Sequence, residues 1–166
     1  MIVIADTTPL ITLLKINHLD ILKSLYNTVH IPLAVYHELT QNIDFPDEAD
    51  AIKNCTFLLV HEDVPADRVD LLCRATGLDL GESEAIILAD STSETEKILL
   101  IDETHARAVA EQMGIQITGV IGVLMAAYKK KLLSSAQIKE SVEIMRMSNR
   151  FISDSLYKLL LSLLKQ

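Results

Sequence analysis

The chain has 166 residues and a formal net charge of −8, with 15 lysines and arginines against 23 aspartates and glutamates. Hydrophobic residues make up 49% and charged residues 23%, which excludes a disordered chain and fits one domain, residues 1–166, large enough to bury its own core. The acidic balance excludes binding that neutralises many phosphates at once, so a nucleic-acid role would have to rest on a local site where metal ions reverse the charge.

In chain order, Ile2 to Ala5 read as a short strand buried on both faces, ended by Asp6. Thr8 is a good N-cap with Pro9 at the first helical position, which predicts a helix from Leu10 onward. A second helix is expected over 18–25, a strand near Val29 and Ile31, and a helix opened by Pro32 and running to about Gln41. Helix is expected again over 47–53 and strand over 57–60. The 66–75 segment is helical in pattern with Gly77 as its stop, and 81–90 is a further helix. Ile98 to Ile101 form a second wholly apolar strand that also ends in aspartate, at Asp102. A helix over 103–113 stops at Gly114, a strand follows at 115–118, and helices are expected over 120–130, 136–147 and 155–165. The last of these is apolar around most of its circumference, which calls for burial in the core or against a partner. Alternating short apolar strands and helices argue for an α/β fold, a parallel sheet with helices on both faces and its ligand site at the carboxyl edge.

No run approaches the roughly 20 apolar residues of a membrane span, and the N-terminus lacks the basic segment of a signal peptide. Cys55 and Cys73 fit neither a disulfide framework nor a paired zinc pattern. A soluble, cytoplasmic protein with free thiols and no membrane contact is therefore expected.

Asp6 and Asp102 each follow a buried strand, so parallel strands would bring both carboxylates to one rim. Crowded anions repel unless a cation joins them, and Mg²⁺ or Mn²⁺ favours such hard oxygens. Read singly, Asp102 could equally cap the helix that begins at Glu103. Asp6 is harder to explain structurally, because Thr8 and Pro9 already supply a cap and first turn. Asp79 and Glu82 have the spacing of a capping box, yet Glu82 shares a helical face with Ala85, Ile86 and Ala89 and should face the protein at the rim, whereas Glu84 should face solvent. Glu38 lies beside the apolar stripe of Val35, Tyr36 and Leu39, and alone it reads as a solvated surface acid before it reads as a site residue.

The segments Ile4-Ala5-Asp6-Thr7-Thr8-Pro9-Leu10-Ile11, Val35-Tyr36-His37-Glu38-Leu39, Leu78 to Ile86, Leu100-Ile101-Asp102-Glu103 and Thr118-Gly119-Val120-Ile121-Gly122-Val123-Leu124 occur in this order. Together they resemble the PIN-domain family, and more narrowly its VapC-like subgroup, over nearly the whole chain. The resemblance implies a three-layer fold with a central parallel sheet of about four to five strands. It also implies a Mg²⁺- or Mn²⁺-dependent endoribonuclease that acts through metal-activated water and leaves a 5′-phosphate and a 3′-hydroxyl. By position, Asp6, Glu38 and Asp102 match the family's acids, and Glu82 is the best match for a central-helix acid that is aspartate in many relatives. Asp79 or Glu84 are the alternatives there, Glu103 is a further candidate ligand or else first-turn charge suited to the helix dipole, and Thr7 either starts a turn or is a supporting residue that hydrogen-bonds a carboxylate or metal-bound water. An RNA substrate, a small antitoxin protein and a homodimer are the partners the resemblance implies, with the chain as the toxin of a toxin–antitoxin pair. The alternative is a PIN-like module that binds RNA or protein without cutting.

Other readings fare worse. A dehalogenase-type phosphotransferase would need a second acid two residues after Asp6, where Thr8 stands. Neither a G-x-G-x-x-G after the first strand nor a Walker lysine motif is present. Gly119 to Gly122 read as close strand-to-helix packing before they read as a phosphate cradle. His105 and Arg107, near the rim, read as exposed polar residues before they read as contacts to RNA phosphate, and Lys129 to Lys131 as a solvated helix end before a path for RNA.

Overall fold

The structure, a computed structural model, describes residues 1–41, 46–148 and 152–164. Strands β1 (Ile2–Ala5), β2 (Val29–Pro32), β3 (Leu58–His61), β4 (Lys97–Leu100) and β5 (Ile117–Thr118) form one sheet in the order β3-β2-β1-β4-β5. Every neighbouring pair is parallel. The helices are α1 (Thr7–Lys15), α2 (Ile21–Tyr26), α3 (Leu33–Thr40), α4 (Pro46–Lys53), α5 (Ala66–Thr76), α6 (Leu80–Ser91), α7 (Thr104–Gln112), α8 (Val120–Lys129), α9 (Ser135–Met147) and α10 (Asp154–Leu163). This is the expected α/β architecture.

The sheet is apolar on both sides because both sides are covered. Val3 and Ala5 of β1 pack with Leu10 and Leu13 of α1 and with Val123 and Leu124 of α8. Ile4, between them in sequence, points the other way, into a second core with Ile86 of α6, Leu99 of β4 and Val109 of α7. This alternation follows from the period of two along a strand. Strand order reverses between β1 and β4: β1 is followed in space by β2 on one side, and the chain crosses to β4 on the other. The crevice at such a switch point is where open parallel sheets bind ligands. Asp6 and Asp102 stand there.

Several boundaries differ from the sequence reading. Thr8 is not the cap of α1; Asp6 occupies the N-cap position and Pro9 is the third helical residue. Asp6 keeps an extended backbone (φ −84°, ψ 168°) and its amide donates to the Leu100 carbonyl at 3.0 Å, so the β1 ladder runs directly into the helix. Proline is tolerated in the first turn because those amides have no intrahelical acceptor. Strands β3 and β4 are each displaced by one residue from expectation, β5 is only two residues long, and α2 begins at Ile21. Gly77 ends α5 in the left-handed region at φ 76°, as its place in the sequence implies. Helix α10 is buried on one side only: Leu160 and Leu164 are covered, while Leu156, Leu159 and Leu163 are exposed. Lys165, where that helix was expected to end, lies outside the described residues. Cys55 and Cys73 are free thiols. Among the described residues no helix is long and apolar enough to cross a membrane.

Candidate functional site

Four acids share the carboxyl end of β1. Asp6 is the most buried of them, with 3% of its surface exposed. Its carboxyl is pushed up to about 7, chiefly by burial, with the Thr7 amide opposing this and the charges of Glu82, Asp79 and Glu38 adding to it. Although Asp6 holds the N-cap position, its side chain makes no capping bond to α1.

Glu38 reaches the site from α3. Thr7, the first residue of α1, donates its hydroxyl to Glu38 Oε2 at 2.5 Å. Burial raises the Glu38 carboxyl above its ordinary value; the Thr7 bond lowers it, and the charges of Asp79 and Glu84 raise it further. The carboxylate lies against the backbone of Gly81 in the first turn of α6, where a methyl group would come within 2.5 Å of Oε1. Glycine disfavours a helix, and here it leaves room for an acid from a neighbouring helix.

Asp79 and Glu82 form the capping box written in their spacing. Glu82 N donates to Asp79 Oδ1 at 2.8 Å, and Asp79 N donates to Glu82 Oε2 at 3.1 Å. Glu82 nevertheless faces the rim. Desolvation raises its carboxyl, the Asp79 amide lowers it, and the charges of Asp79, Glu103 and Glu38 raise it. The cap and the acidic site therefore use the same side chain.

Asp102 is seated on the other side of β4. It does not cap α7; Glu103 does, by accepting from Ala106 N at 2.7 Å. Asp102 Oδ1 instead accepts from Val120 N, at the start of α8, at 3.1 Å. Gly119 makes this possible, since a Cβ there would collide with Asp102 Oδ1 and crowd Arg107. Gly122 likewise allows the close approach of the Thr118 side chain, so these glycines serve strand-to-helix packing as their sequence context implies. Desolvation works against ionisation of Glu103, but the amides of Ala106, His105 and Thr104 and the charge of His105 hold it below the ordinary glutamate value.

Glu84 is a correction. It does not face solvent but is half-buried, and its Oε2 accepts from Ala34 N at 3.0 Å, in the first turn of α3. Arg107 is a second correction. It is half-buried, donates to the Ile101 carbonyl at 2.8 Å, and lines a cleft of about 840 Å³ beside Asp102. His105 Nε2 lies 2.8 Å from the Thr76 carbonyl oxygen. Sequence reasoning missed the close approach of Glu38 to Gly81; the readable signal was the glycine itself, an unfavourable residue inside a helix start.

The donor set suits a hard divalent cation: every acid at the rim offers carboxylate oxygen, and Glu38 and Asp102 each occupy space that only a glycine leaves open. Among the described residues, however, no three histidine, cysteine, aspartate or glutamate side chains are drawn together in a group that could hold an ion. Glu38, Glu82, Asp102 and Glu84 each take a donor from the protein, which fixes where their oxygens stand.

A parallel α/β sheet with carboxylates gathered at its switch point defines a class of proteins with an acidic site on the carboxyl edge. The profile of one member family of that class, the PIN domain, matches residues 2–166, and the chain belongs to the PIN-domain family. PIN domains are in general nucleases that use divalent metal ions on nucleic acid. No curated protein and no solved structure matches the chain.

Proposed function

We propose that the protein is a Mg²⁺- or Mn²⁺-dependent endoribonuclease whose acids are Asp6, Glu38, Glu82 and Asp102. The observation that carries this reading is Asp6, buried at the switch point and raised to about 7 by desolvation and by three neighbouring carboxylates. Such an arrangement is unfavourable in isolation, and sites of perturbed ionisation in a crevice are where chemistry is expected. Asp6, Glu38, Glu82 and Asp102 would hold the cation, with Asp79 and Glu103 beside them. Glu84 is less suited, because it is committed to the start of α3. The cation would supply positive charge opposite the charge that develops in phosphodiester hydrolysis and lower the pKa of water. The chain itself holds the acids apart and in place: Thr7 orients Glu38, the Asp79 amide orients Glu82, and the Val120 amide orients Asp102.

A VapC-like role as the toxin of a toxin–antitoxin pair, with a homodimer and a small antitoxin as partners, extends the same proposal. Leu156, Leu159 and Leu163 on α10 supply an exposed apolar face of the kind a protein partner covers. The second reading, a PIN-like module that binds RNA or protein without cutting, draws on the absence of a tight three-acid group among the described residues. One experiment separates them. Purified protein with Mg²⁺ or Mn²⁺ should cleave RNA, a chelator should abolish the cleavage, and Asp6→Asn should reduce it at least a hundredfold (about 3 kcal/mol of transition-state stabilisation). Cleavage that survives in Asp6→Asn would assign the activity elsewhere, and RNA binding without cleavage would favour the second reading.

A further inference from the structure

We propose that His30 and His61 form a metal site separate from the acidic rim, a clamp of two imidazoles for a borderline transition ion of the Zn²⁺, Ni²⁺ or Cu²⁺ kind. The site is independent of the nuclease reading. Its two residues stand on neighbouring strands at the β3 end of the sheet. In the parallel register His30 of β2 lies opposite Leu59 of β3, and His61 lies opposite Pro32, so the histidines are diagonal neighbours. Leu59 and His61, two residues apart, share one face of the sheet with His30. His30 Nδ1 is 2.7 Å from His61 Nε2, with the ring centroids 5.0 Å apart and the ring planes at 28°. The rings therefore meet nitrogen to nitrogen.

Such a contact needs one proton at the junction, donated by one ring to the lone pair of the other. Asp63 Oδ1 stands 3.5 Å from His61 Nδ1. Its charge draws the His61 proton to that nitrogen and leaves the Nε2 lone pair facing His30, the carboxylate–histidine arrangement that orients metal ligands. An ion takes the place of the junction proton when that proton moves to His30 Nε2, which turns the second lone pair inward. The nitrogens then part from 2.7 Å to about 3.3 Å, the span of two nitrogen ligands on tetrahedral Zn²⁺. Both histidines are only half-buried, so their side chains can turn that far. Water fills the remaining positions, for among the described residues no third histidine, cysteine or carboxylate joins the pair in a metal-holding group. Access is open, because Leu59 beside them is 48% exposed. Imidazole nitrogen suits Zn²⁺, Ni²⁺ or Cu²⁺, whereas carboxylate oxygen suits Mg²⁺ or Mn²⁺. Softness therefore divides ions between this pair and the acids at the end of β1. Since β3 ends the strand order, an ion held here ties an edge strand to its neighbour.

The test is calorimetric titration of Zn²⁺ into the full chain at about pH 7.5, where an ordinary imidazole is neutral, with Mg²⁺ in excess to occupy the carboxylates. His30→Gln and His61→Gln should each weaken Zn²⁺ binding at least tenfold. Asp63→Asn should weaken it a few-fold through lost orientation of His61. Cys55→Ser and Cys73→Ser should bind as the wild type does, which separates the clamp from the thiols that also favour Zn²⁺. Wild-type affinity in a histidine variant that melts like the wild type overturns the proposal, and so does loss of binding in a cysteine variant with unchanged melting. If the variants melt early, amide NMR spectra of the wild type decide. Sub-stoichiometric Ni²⁺, again with Mg²⁺ in excess, should broaden the signals around His30 and His61 first; broadening that begins elsewhere overturns the proposal equally.

Discussion

Asp6 combines two demands that ordinarily exclude each other, burial and charge. With its carboxyl at about 7 in the folded protein against 3.8 in an ordinary setting, the fold binds the Asp6 proton more tightly than the unfolded chain does. The stability this provides is complete below 3.8, declines as pH rises, and is gone above about 7. The interval corresponds to roughly 4 kcal/mol. Urea denaturation in chelator at about pH 5 and about pH 8 should therefore show the wild type losing more stability than Asp6→Asn, on the order of a few kcal/mol. Parallel losses in the two proteins would show that Asp6 is not strained by its neighbours. Gly81 supports a second prediction. Gly81→Ala gains helix propensity of roughly 1 kcal/mol, and the nearest atoms its methyl would meet belong to the carboxylate end of Glu38. The variant should match or exceed wild-type stability in thermal melts while losing nuclease activity, because Glu38 must leave its place.

At the scale of elements, α6 organises the site twice over. Its N-terminus carries the Asp79–Glu82 box, and Glu84, two residues on, binds the start of α3, the helix that delivers Glu38. Glu84→Ala leaves the Ala34 amide unpaired and should destabilise the protein by roughly 1–2 kcal/mol in urea titrations. A metal-dependent rise in melting temperature should survive in that variant, which would remove Glu84 from the ligand set. The capping box was legible because both its donors and its acceptors lie within four consecutive residues. The strand cores and the arrest of α5 at Gly77 were legible for the same reason, since periodicity and a left-handed glycine are local. The start of α1 was not: Asp6 is kept extended by the Leu100 carbonyl, which belongs to another strand. The roles of Asp102, Glu84 and Arg107 likewise depend on Val120, Ala34 and Ile101. The first two partners are distant in sequence, and the third is reached only through the turn between β4 and α7. The acids could thus be named from the sequence, but not what each one holds.

For the whole molecule, a net charge of −8 means that acids must gather at the switch point against the field of the rest of the chain. A divalent cation should therefore act on global stability as well as on chemistry. A ligand that binds only the folded state at about a hundred times its Kd adds roughly 2.7 kcal/mol, which for a chain of this size raises the melting temperature by roughly 5–10 °C. In chelator at about pH 8, where Asp6 is ionised, Asp6→Asn should melt at or above the wild-type temperature, since the substitution removes one of several crowded charges. Addition of Mg²⁺ or Mn²⁺ should reverse that order, lifting the wild type by the full amount and the variant by much less. Thermal melts of the two proteins with and without metal make the comparison directly. The reversal, not the size of either shift, is diagnostic: a cation bound to scattered surface carboxylates would raise both proteins equally, whereas one held at the end of β1 must distinguish them.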